Sequence, residues 1–284
     1  MSEFLLHNKF HRWAWIKRYV QASYGAITTR EDLRNIQNFC MFLGYARSGT
    51  SLLGALLDAH PNIAVAHELD VLKYLDARFG KHQIFSLLLE NSRSHALRGR
   101  KATGYNYEVP GQWQGKFTRL HVIGDKKGGK SSFWLHEKPE LLEKLRETLA
   151  MPLKVFHVIR NPYDNIATKY RRRLKRGPTT LQAVIDQHFV QCKTVSYTKQ
   201  RLSGSELFEI RHESMIADPV YHLRAMCDFL GVECPLDYVE QCAGIVFESP
   251  HKSRNAIEWL PEDIELVRSK MEPFSFLKGY SYDS

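Results

Sequence analysis

Short, nearly continuous apolar runs alternate with longer amphipathic stretches along most of the chain. Five of these runs predict β-strands, at residues 38–44, 63–66, 120–124, 153–159 and 207–211. Strands that are apolar on both faces are typical of a parallel sheet covered on both sides, with helices as the connections. The pattern therefore predicts an α/β fold, a three-layer sandwich with a mostly parallel sheet of about five strands and helices on both faces.

The amphipathic stretches predict helices, and prolines and capping residues mark several of their ends. These helices are expected at residues 49–59, 70–98, 139–148, 162–176, 179–202, 219–230, 235–243 and 261–271. Residues 28–32 resemble a capping signal for a further short helix ahead of the first strand. Residues 99–119 predict a long loop, in which Tyr105, Tyr107 and Trp113 are candidates for a binding pocket.

The N-terminal stretch predicts an amphipathic helix at residues 9–20. Its apolar face is formed by Phe10, Trp13, Ile16 and Val20. We expect this helix to pack on the core as part of a helical extension of residues 1–37, ahead of a main domain of residues 38–284. Contact of residues 9–20 with a membrane surface is the alternative. Basic residues interrupt any signal-peptide core here, and the chain has no uncharged apolar run long enough for a transmembrane helix.

Composition and charge narrow the class of ligand. The 284 residues carry a formal net charge of +9, which suits a nucleic acid, an anionic membrane or a polyanionic small molecule. Basic residues cluster at 126–130, beside two glycines, and at 169–176. This placement favours a phosphate-bearing small molecule over nucleic acid. The five cysteines are odd in number and lie mostly in apolar patterns, which indicates reduced side chains and predicts a cytoplasmic protein.

The first predicted strand leads into a glycine-containing loop and then into a helix. Gly44 and Gly49 have the spacing of a phosphate-binding P-loop, and Thr50 and Ser51 place hydroxyl groups in the first helical turn. The lysine of a nucleoside-triphosphate P-loop is missing, and Arg47 is the cation of the loop. The fold is therefore predicted to be of the P-loop type, and the missing lysine raises the question of which phosphate-bearing ligand the loop binds.

Polar side chains follow the ends of all five predicted strands. They are Arg47, His67, Glu68, Asp125, Lys126, Arg160, His212 and Glu213. Ligands of open parallel sheets bind at the carboxyl edge of the strands, so these side chains are expected to converge on one site.

Two motifs resemble those of sulfotransferases that use 3′-phosphoadenosine 5′-phosphosulfate (PAPS). The first, residues 45–53 followed by residues 58–61, resembles the 5′-phosphosulfate loop of the tyrosylprotein and bacterial branch, in which an arginine replaces the loop lysine. The second is a strand ending in Arg160 with a hydroxyl residue eight positions later, which in the family binds the 3′-phosphate. Thr168 stands there in place of the usual serine and keeps the hydroxyl group.

The resemblance covers about residues 38–280 and implies roles for further residues. Arg47, Ser48, Gly49, Thr50, Ser51, Arg160, Thr168, Lys252, Ser253 and Arg254 are expected to bind the donor. Glu68 stands where the tyrosylprotein branch has its carboxylate base, and Lys126 matches the lysine of that branch. His67 is the alternative base, because the cytosolic enzymes use a histidine, and Lys127 competes with Lys126. Glu68 can also be merely an ion-pair partner of Arg47 or Lys126.

These residues fit the chemistry of sulfuryl transfer. Transfer of this kind resembles phosphoryl transfer, in which positioning and charge stabilisation dominate. Arg47 and backbone N–H groups suit the donor oxygens, Lys126 suits the bridging oxygen, and Glu68 would accept the acceptor's proton with a pKa raised by burial. The donor's charge is matched without a metal ion.

The predicted function is therefore transfer of a sulfuryl group to a hydroxyl, or an amine, of a small-molecule, carbohydrate or peptide acceptor. Two alternatives stay open. A P-loop kinase would use residues 122–125 as a Walker B strand that holds magnesium, and a non-catalytic nucleotide or polyanion binder would use the same fold without a reaction.

Overall fold

The computed structural model describes residues 9–102 and 104–284, and side chains from residue 13 onward except that of residue 102. The first eight residues of the predicted extension and the side chain of Phe10 lie outside the described residues. The described part forms one sheet of five strands with helices around it. This is the α/β fold that the apolar pattern predicts.

The main sheet contains five parallel strands in the order β2-β5-β1-β6-β7. Their bounds are Asn38–Leu43 (β1), Ile63–His67 (β2), Val122–Lys126 (β5), Leu153–Ile159 (β6) and Leu207–Arg211 (β7). A separate antiparallel hairpin pairs Lys101–Ala102 (β3) with Tyr105–Asn106 (β4). All five runs predicted from sequence thus form strands of one sheet, and β1 lies at its centre.

Twelve α-helices cover the described chain. They are Lys9–Thr28 (α1), Thr50–Asp58 (α2), Val71–Asp76 (α3), Lys81–Leu97 (α4), Gly128–Glu137 (α5), Leu141–Leu149 (α6), Pro162–Leu174 (α7), Leu181–Lys199 (α8), His212–Ala217 (α9), Pro219–Leu230 (α10), Leu236–Gly244 (α11) and Pro261–Met271 (α12). Short 3-10 turns follow at Ser253–Ala256 and Ser275–Leu277. None of the helices in the described residues is long and apolar enough to cross a membrane.

Alternate residues of the central strand belong to two hydrophobic cores, one on each face of the sheet. Phe39 and Met41 pack into a core with α4, α6, α7 and α8, and Cys40 and Phe42 pack into a core with α2, α10 and α11. Because every second side chain points to the opposite face, a continuously apolar strand is what a sheet between two helical layers requires. This is the physical basis of the pattern read from the sequence.

The structure corrects two of the predicted helices. The predicted helix at 70–98 is divided into α3 and α4, and Arg78 between them has a left-handed backbone with φ 64°. The short helix at 28–32 is wrong, because α1 continues to Thr28 and is followed by turns. Helix α1 is longer than the predicted 9–20. Its added turns pack on α4, where the carbonyl of Ala22 accepts a hydrogen bond from Ser86.

Helix α5 was not predicted, because it starts with two glycines that normally oppose helix formation. The structure gives their reason. A Cβ atom on Gly129 would lie 2.7 Å from the backbone nitrogen of Ala46, and one on Gly128 would press on Thr50. The glycines therefore let the start of α5 approach the loop between β1 and α2.

Candidate active site

The loop between β1 and α2 has a tightly constrained backbone. Gly49 adopts φ 94°, and a Cβ atom there would overlap with the Nδ1 atom of His212. Arg47 also has a left-handed backbone, with φ 75°. Ser48 donates a hydrogen bond to the carbonyl of Tyr45 across 2.9 Å, which closes the loop. Non-glycine residues with positive φ are uncommon and cluster at functional sites.

A cavity of about 1130 Å³ lies at the carboxyl edge of the sheet, where the sequence predicted a site. Eight of the predicted site residues line it: Arg47, Gly49, Thr50, Ser51, Glu68, Arg160, Thr168 and Ser253. Five others are not among its lining residues: Ser48, His67, Lys126, Lys252 and Arg254. The loop, the ends of β2 and β6, helix α7 and the C-terminal segment therefore meet at one place.

Arg160 connects two walls of this cavity. Its Nη1 atom donates to the backbone carbonyl of Arg47 across 3.0 Å, and its Nη2 atom donates to the carbonyl of His251 across 2.7 Å. Nη2 also lies 3.3 Å from the hydroxyl of Ser253. The guanidinium group thus fixes the loop after β1 against the segment that precedes α12.

Three buried polar atoms of cavity-lining residues have no hydrogen-bond partner in the described part of the chain. They are Nε of Arg47, Oγ1 of Thr168 and Nδ1 of His212. Buried polar groups are nearly always hydrogen-bonded, so orphaned ones beside a cavity need an explanation. A polar ligand in the cavity supplies one.

Lys126 reaches the site through the layer between β5 and α2. Its side chain is 2% exposed, and a Cβ atom on Gly54 of α2 would lie 2.7 Å from its Cγ atom. The absence of a side chain at Gly54 therefore makes room for the lysine stem. The Nζ atom donates to the hydroxyl of Ser51 across 3.1 Å and to Oε1 of Glu68 across 3.0 Å.

Glu68 follows β2 in a left-handed turn with φ 63° and lies between two lysines. Its second oxygen, Oε2, is 3.1 Å from Nζ of Lys127. Burial alone would raise the pKa of Glu68, but the two lysines outweigh it and lower that pKa to about 2. The expectation of a raised pKa is therefore wrong for this arrangement, because the sequence did not show that both lysines contact the carboxylate.

His67 points away from the cavity. Its ring stacks on that of His95 with centroids 4.0 Å apart, and its backbone N–H donates to the side chain of Asn91 across 2.7 Å. Burial, followed by the charge of Lys126, lowers the pKa of His67 to about 3. Of the two residues, Glu68 therefore lines the cavity and His67 does not.

Asp125 is a structural acceptor rather than a cavity residue. Its carboxylate accepts three backbone hydrogen bonds, from Leu69, Asp70 and Val71, at 3.1, 2.8 and 2.9 Å. These contacts hold the turn after β2 and the start of α3. Because both oxygens are occupied there, the geometry argues against the Walker B interpretation, in which this carboxylate would hold magnesium.

The predicted C-terminal donor residues have different surroundings. Arg254 forms a buried two-pronged ion pair with Asp164 of α7, at 3.0 Å from Nε and 2.8 Å from Nη2. Its Nη1 atom donates to the carbonyls of Ser281 and Tyr282. Lys252 is exposed, and its Nζ atom lies 3.5 Å from the carbonyl of Asp283. Of these predicted residues, Ser253 alone faces the cavity.

The remaining cavity lining includes residues that the sequence analysis left without a role. Lys130, Arg171, Arg172, Lys175 and Arg176 form a basic wall, and Phe133 and Phe247 join the predicted Tyr105 and Tyr107. Trp113, which was expected to shape the pocket, is not among the lining residues. The basic cluster at 169–176 was the available signal, and the sequence analysis connected it with a phosphate-bearing ligand without giving its residues separate roles. For Phe247 no local motif gave a signal.

Residues 41–236 match the model of the Sulfotransferase family. No curated protein matches the chain significantly. Among solved structures, sulfotransferase STF9 from Mycobacterium avium matches with a TM-score of 0.54 and 12% identity, over 90% of this chain and 81% of that one. The sulfotransferase domain from the curacin biosynthetic pathway matches with a TM-score of 0.53 and 15% identity, over 84% of this chain and 97% of that one.

We predict that Arg254 contributes to stability. Arg254→Ala leaves the Asp164 carboxylate buried without its partner, and loss of one member of a buried pair costs about 3–5 kcal/mol of unfolding free energy. Urea denaturation measures this. Lys252→Ala, which alters an exposed neighbour, is the control and should change the free energy by less than about 0.5 kcal/mol. Near-normal stability of Arg254→Ala would contradict the assignment.

The paired Glu68 predicts a specific pH dependence of stability. Its pKa falls from an ordinary value of 4.5 to about 2 in the fold, so its stabilisation is complete above about pH 4.5 and is lost as the pH falls towards 2. The difference in Tm between the natural chain and Glu68→Gln should therefore shrink over this range. Glu137→Gln, at an exposed position of α5, controls for loss of a glutamate. A difference that stays constant with pH would exclude the pairing.

Proposed function

The chain belongs to the sulfotransferase family, and from this premise we propose that it transfers a sulfuryl group from PAPS to an acceptor hydroxyl. The observation that carries the proposal is the convergence of Arg47, Arg160 and Thr168 on one cavity, where the buried Thr168 hydroxyl has no hydrogen-bond partner among the described residues. Arg47 lies more than a hundred positions before the other two. A donor with phosphate groups at both ends of its ribose requires two such subsites.

The charge of the cavity supports a polyanionic donor. Eight cationic residues line it, and Glu68 is the one carboxylate among the lining residues. The cations are Arg47, Lys127, Lys130, Arg160, Arg171, Arg172, Lys175 and Arg176. Concentrated positive charge in a partly enclosed cavity attracts anions and strengthens their binding.

Arg47 and the start of α2 are suited to the sulfuryl-bearing end of the donor. The planar guanidinium of Arg47 can contact two oxygens at once, and its Nε atom has no partner in the described chain. The backbone N–H groups of Thr50 and Ser51 lie in the first turn of a nine-residue helix, where anions are favoured. Thr168 and Arg160 are suited to the 3′-phosphate, with Ser253 beside them.

Lys126 is positioned to stabilise charge on the leaving oxygen. Its Nζ atom is beside the Ser51 hydroxyl, and its buried stem leaves it little freedom to point elsewhere. In a loose, in-line transfer, negative charge develops on the leaving phosphate, and a preorganised ammonium group there lowers the barrier. The donor supplies the activated sulfuryl group, and the chain supplies position and charge.

Glu68 is the carboxylate we propose as the base. While Lys126 and Lys127 hold it, its low pKa makes it a weak proton acceptor. Lys127 lines the cavity and can turn towards donor oxygens, and loss of its contact then returns part of the carboxylate's basicity next to the acceptor. His67 is less well placed for this role, because its ring stacks on His95 behind the cavity wall. Tyr105, Tyr107 and Phe247 offer apolar surface for the acceptor.

Donor binding predicts a ligand-dependent rise in stability. Adenosine 3′,5′-bisphosphate at 100 times its Kd should stabilise the chain by about 2.7 kcal/mol in a thermal melt. Thr168→Val removes the hydroxyl at nearly constant volume and should weaken binding about tenfold to hundredfold, because hydrogen bonds to charged groups contribute about 1.5–3 kcal/mol. Arg160→Ala should weaken it further.

The control for these variants is Arg173→Ala, which alters an arginine of α7 that does not line the cavity. It should bind the bisphosphate with unchanged affinity. Full affinity in Arg160→Ala would refute the 3′-phosphate assignment. Stabilisation by magnesium-ATP but not by the bisphosphate would refute the donor itself.

The identity of the base is tested by single-turnover transfer, with an acceptor found by screening hydroxyl compounds against labelled donor. Glu68→Gln should slow transfer by about 10²–10⁴-fold, the usual contribution of a general base. His67→Ala should stay within a few-fold of the natural chain. The reverse result would assign the base to His67.

A further inference from the structure

Helix α1 has two apolar faces, and the described chain covers one of them. Trp15 packs edge-on against Tyr74 and Phe79, and Ala22 is fully buried against α4. On the opposite side, five large apolar side chains are between 46% and 75% exposed. They are Trp13, Ile16, Val20, Tyr24 and Ile27, and we call them the outer stripe.

The outer stripe is continuous along the helix. At about 100° per residue, its five members fall within an arc of about 80° on one side of the helix. Apolar residues scattered singly over a surface are normal, whereas a contiguous row marks an interaction surface. The stripe extends beyond residues 9–20, the segment whose apolar pattern the sequence showed, because α1 continues to Thr28.

The charge of α1 indicates which kind of partner the outer stripe binds. The helix contains Lys9, Arg12, Lys17 and Arg18 and has no aspartate or glutamate. Lys17 is exposed and follows Ile16 directly at the edge of the stripe. An apolar stripe with basic residues beside it, and with tryptophan and tyrosine in it, matches the interface of an anionic lipid bilayer.

A second copy of this chain fits the stripe less well. From Trp13 to Ile27 the stripe is about 21 Å long, and at a helix width of about 10 Å it offers about 200 Å². A stable protein–protein interface needs about 800 Å² from each partner. Pairing two copies would also bring two acid-free basic helices together, which is unfavourable. A membrane surface needs no such matched area.

We propose that the outer stripe of α1 binds the chain to the surface of anionic membranes, with the helix parallel to the bilayer plane. The inner face stays packed on α4, through contacts that include the ion pair of Arg18 with Glu90 at 3.2 Å. The outer face inserts its apolar side chains at the level of the lipid headgroups. The inference is independent of the sulfuryl-transfer chemistry.

The experiment measures sedimentation of the full chain with vesicles. Vesicles of phosphatidylcholine and phosphatidylglycerol should bind the natural chain, and vesicles of phosphatidylcholine alone should bind it markedly less. Val20→Asp and Ile27→Asp should each weaken binding about tenfold or more, because each replaces an inserted apolar group by a charge. Leu236→Asp is the matched control, at an exposed apolar position of α11, and should bind like the natural chain.

A second measurement does not depend on the aspartate variants being folded. Brominated lipid in the anionic vesicles should quench part of the tryptophan fluorescence of the natural chain, and Trp13→Phe should abolish that part. Absence of binding to anionic vesicles, equal binding of the stripe variants, or equal binding to both kinds of vesicle would overturn the proposal. A concentration-dependent dimer that Val20→Asp dissociates would also overturn it and assign the stripe to a second copy.

Discussion

The hydrogen bonds of Arg160 hold the site together. One side of its guanidinium group binds the backbone of the loop after β1, and the other binds the segment around His251. These segments lie 91 and 113 positions away from Arg160 along the chain, so no local interaction could bring them together. The buried Arg254–Asp164 pair fastens this segment to α7, and the hydrogen bond from Tyr280 to Glu213 fastens the C-terminal tail to α9. The cavity wall thus depends on cations that contact the protein's own backbone and carboxylates, while other cations line the cavity.

The fold could be predicted from sequence because a sheet buried on both faces imposes a simple pattern. The sequence predicted all five strands of the main sheet, because an apolar run such as Leu153–Ile159 is stable only where both of its faces are buried. The miss at α5 has the opposite cause, because Gly128 and Gly129 serve a close approach to the neighbouring loop that local propensity opposes. Packing between distant elements decides such positions, and a single sequence does not display it.

The sequence predicted which residues line the cavity more reliably than it predicted their contacts and pKa values. Motif spacing identified Arg47, Arg160 and Thr168, and all three line the cavity. The same motifs could not show that Arg254 turns to Asp164, because the partner lies 90 positions away. Nor could they give the pKa of Glu68, which is set by two ammonium groups at 3.0 and 3.1 Å. A local motif shows which residue types are present, whereas the pKa of a group depends on neighbours that only the folded chain brings together.

Strand β5 carries opposite charges on the adjacent residues Asp125 and Lys126. The register of β5 in the sheet therefore determines which of these charges lies next to α2. Asp125 faces the layer of α3, and Lys126 faces the layer of α2. A slip of β5 by one residue would exchange these faces and present a carboxylate where the ammonium group now lies. Gly124 opposes such a slip, because a side chain at its position would overlap with Cys40 of β1. The absence of a side chain at Gly124 thus fixes the register of β5 and, with it, which of the two charges faces α2.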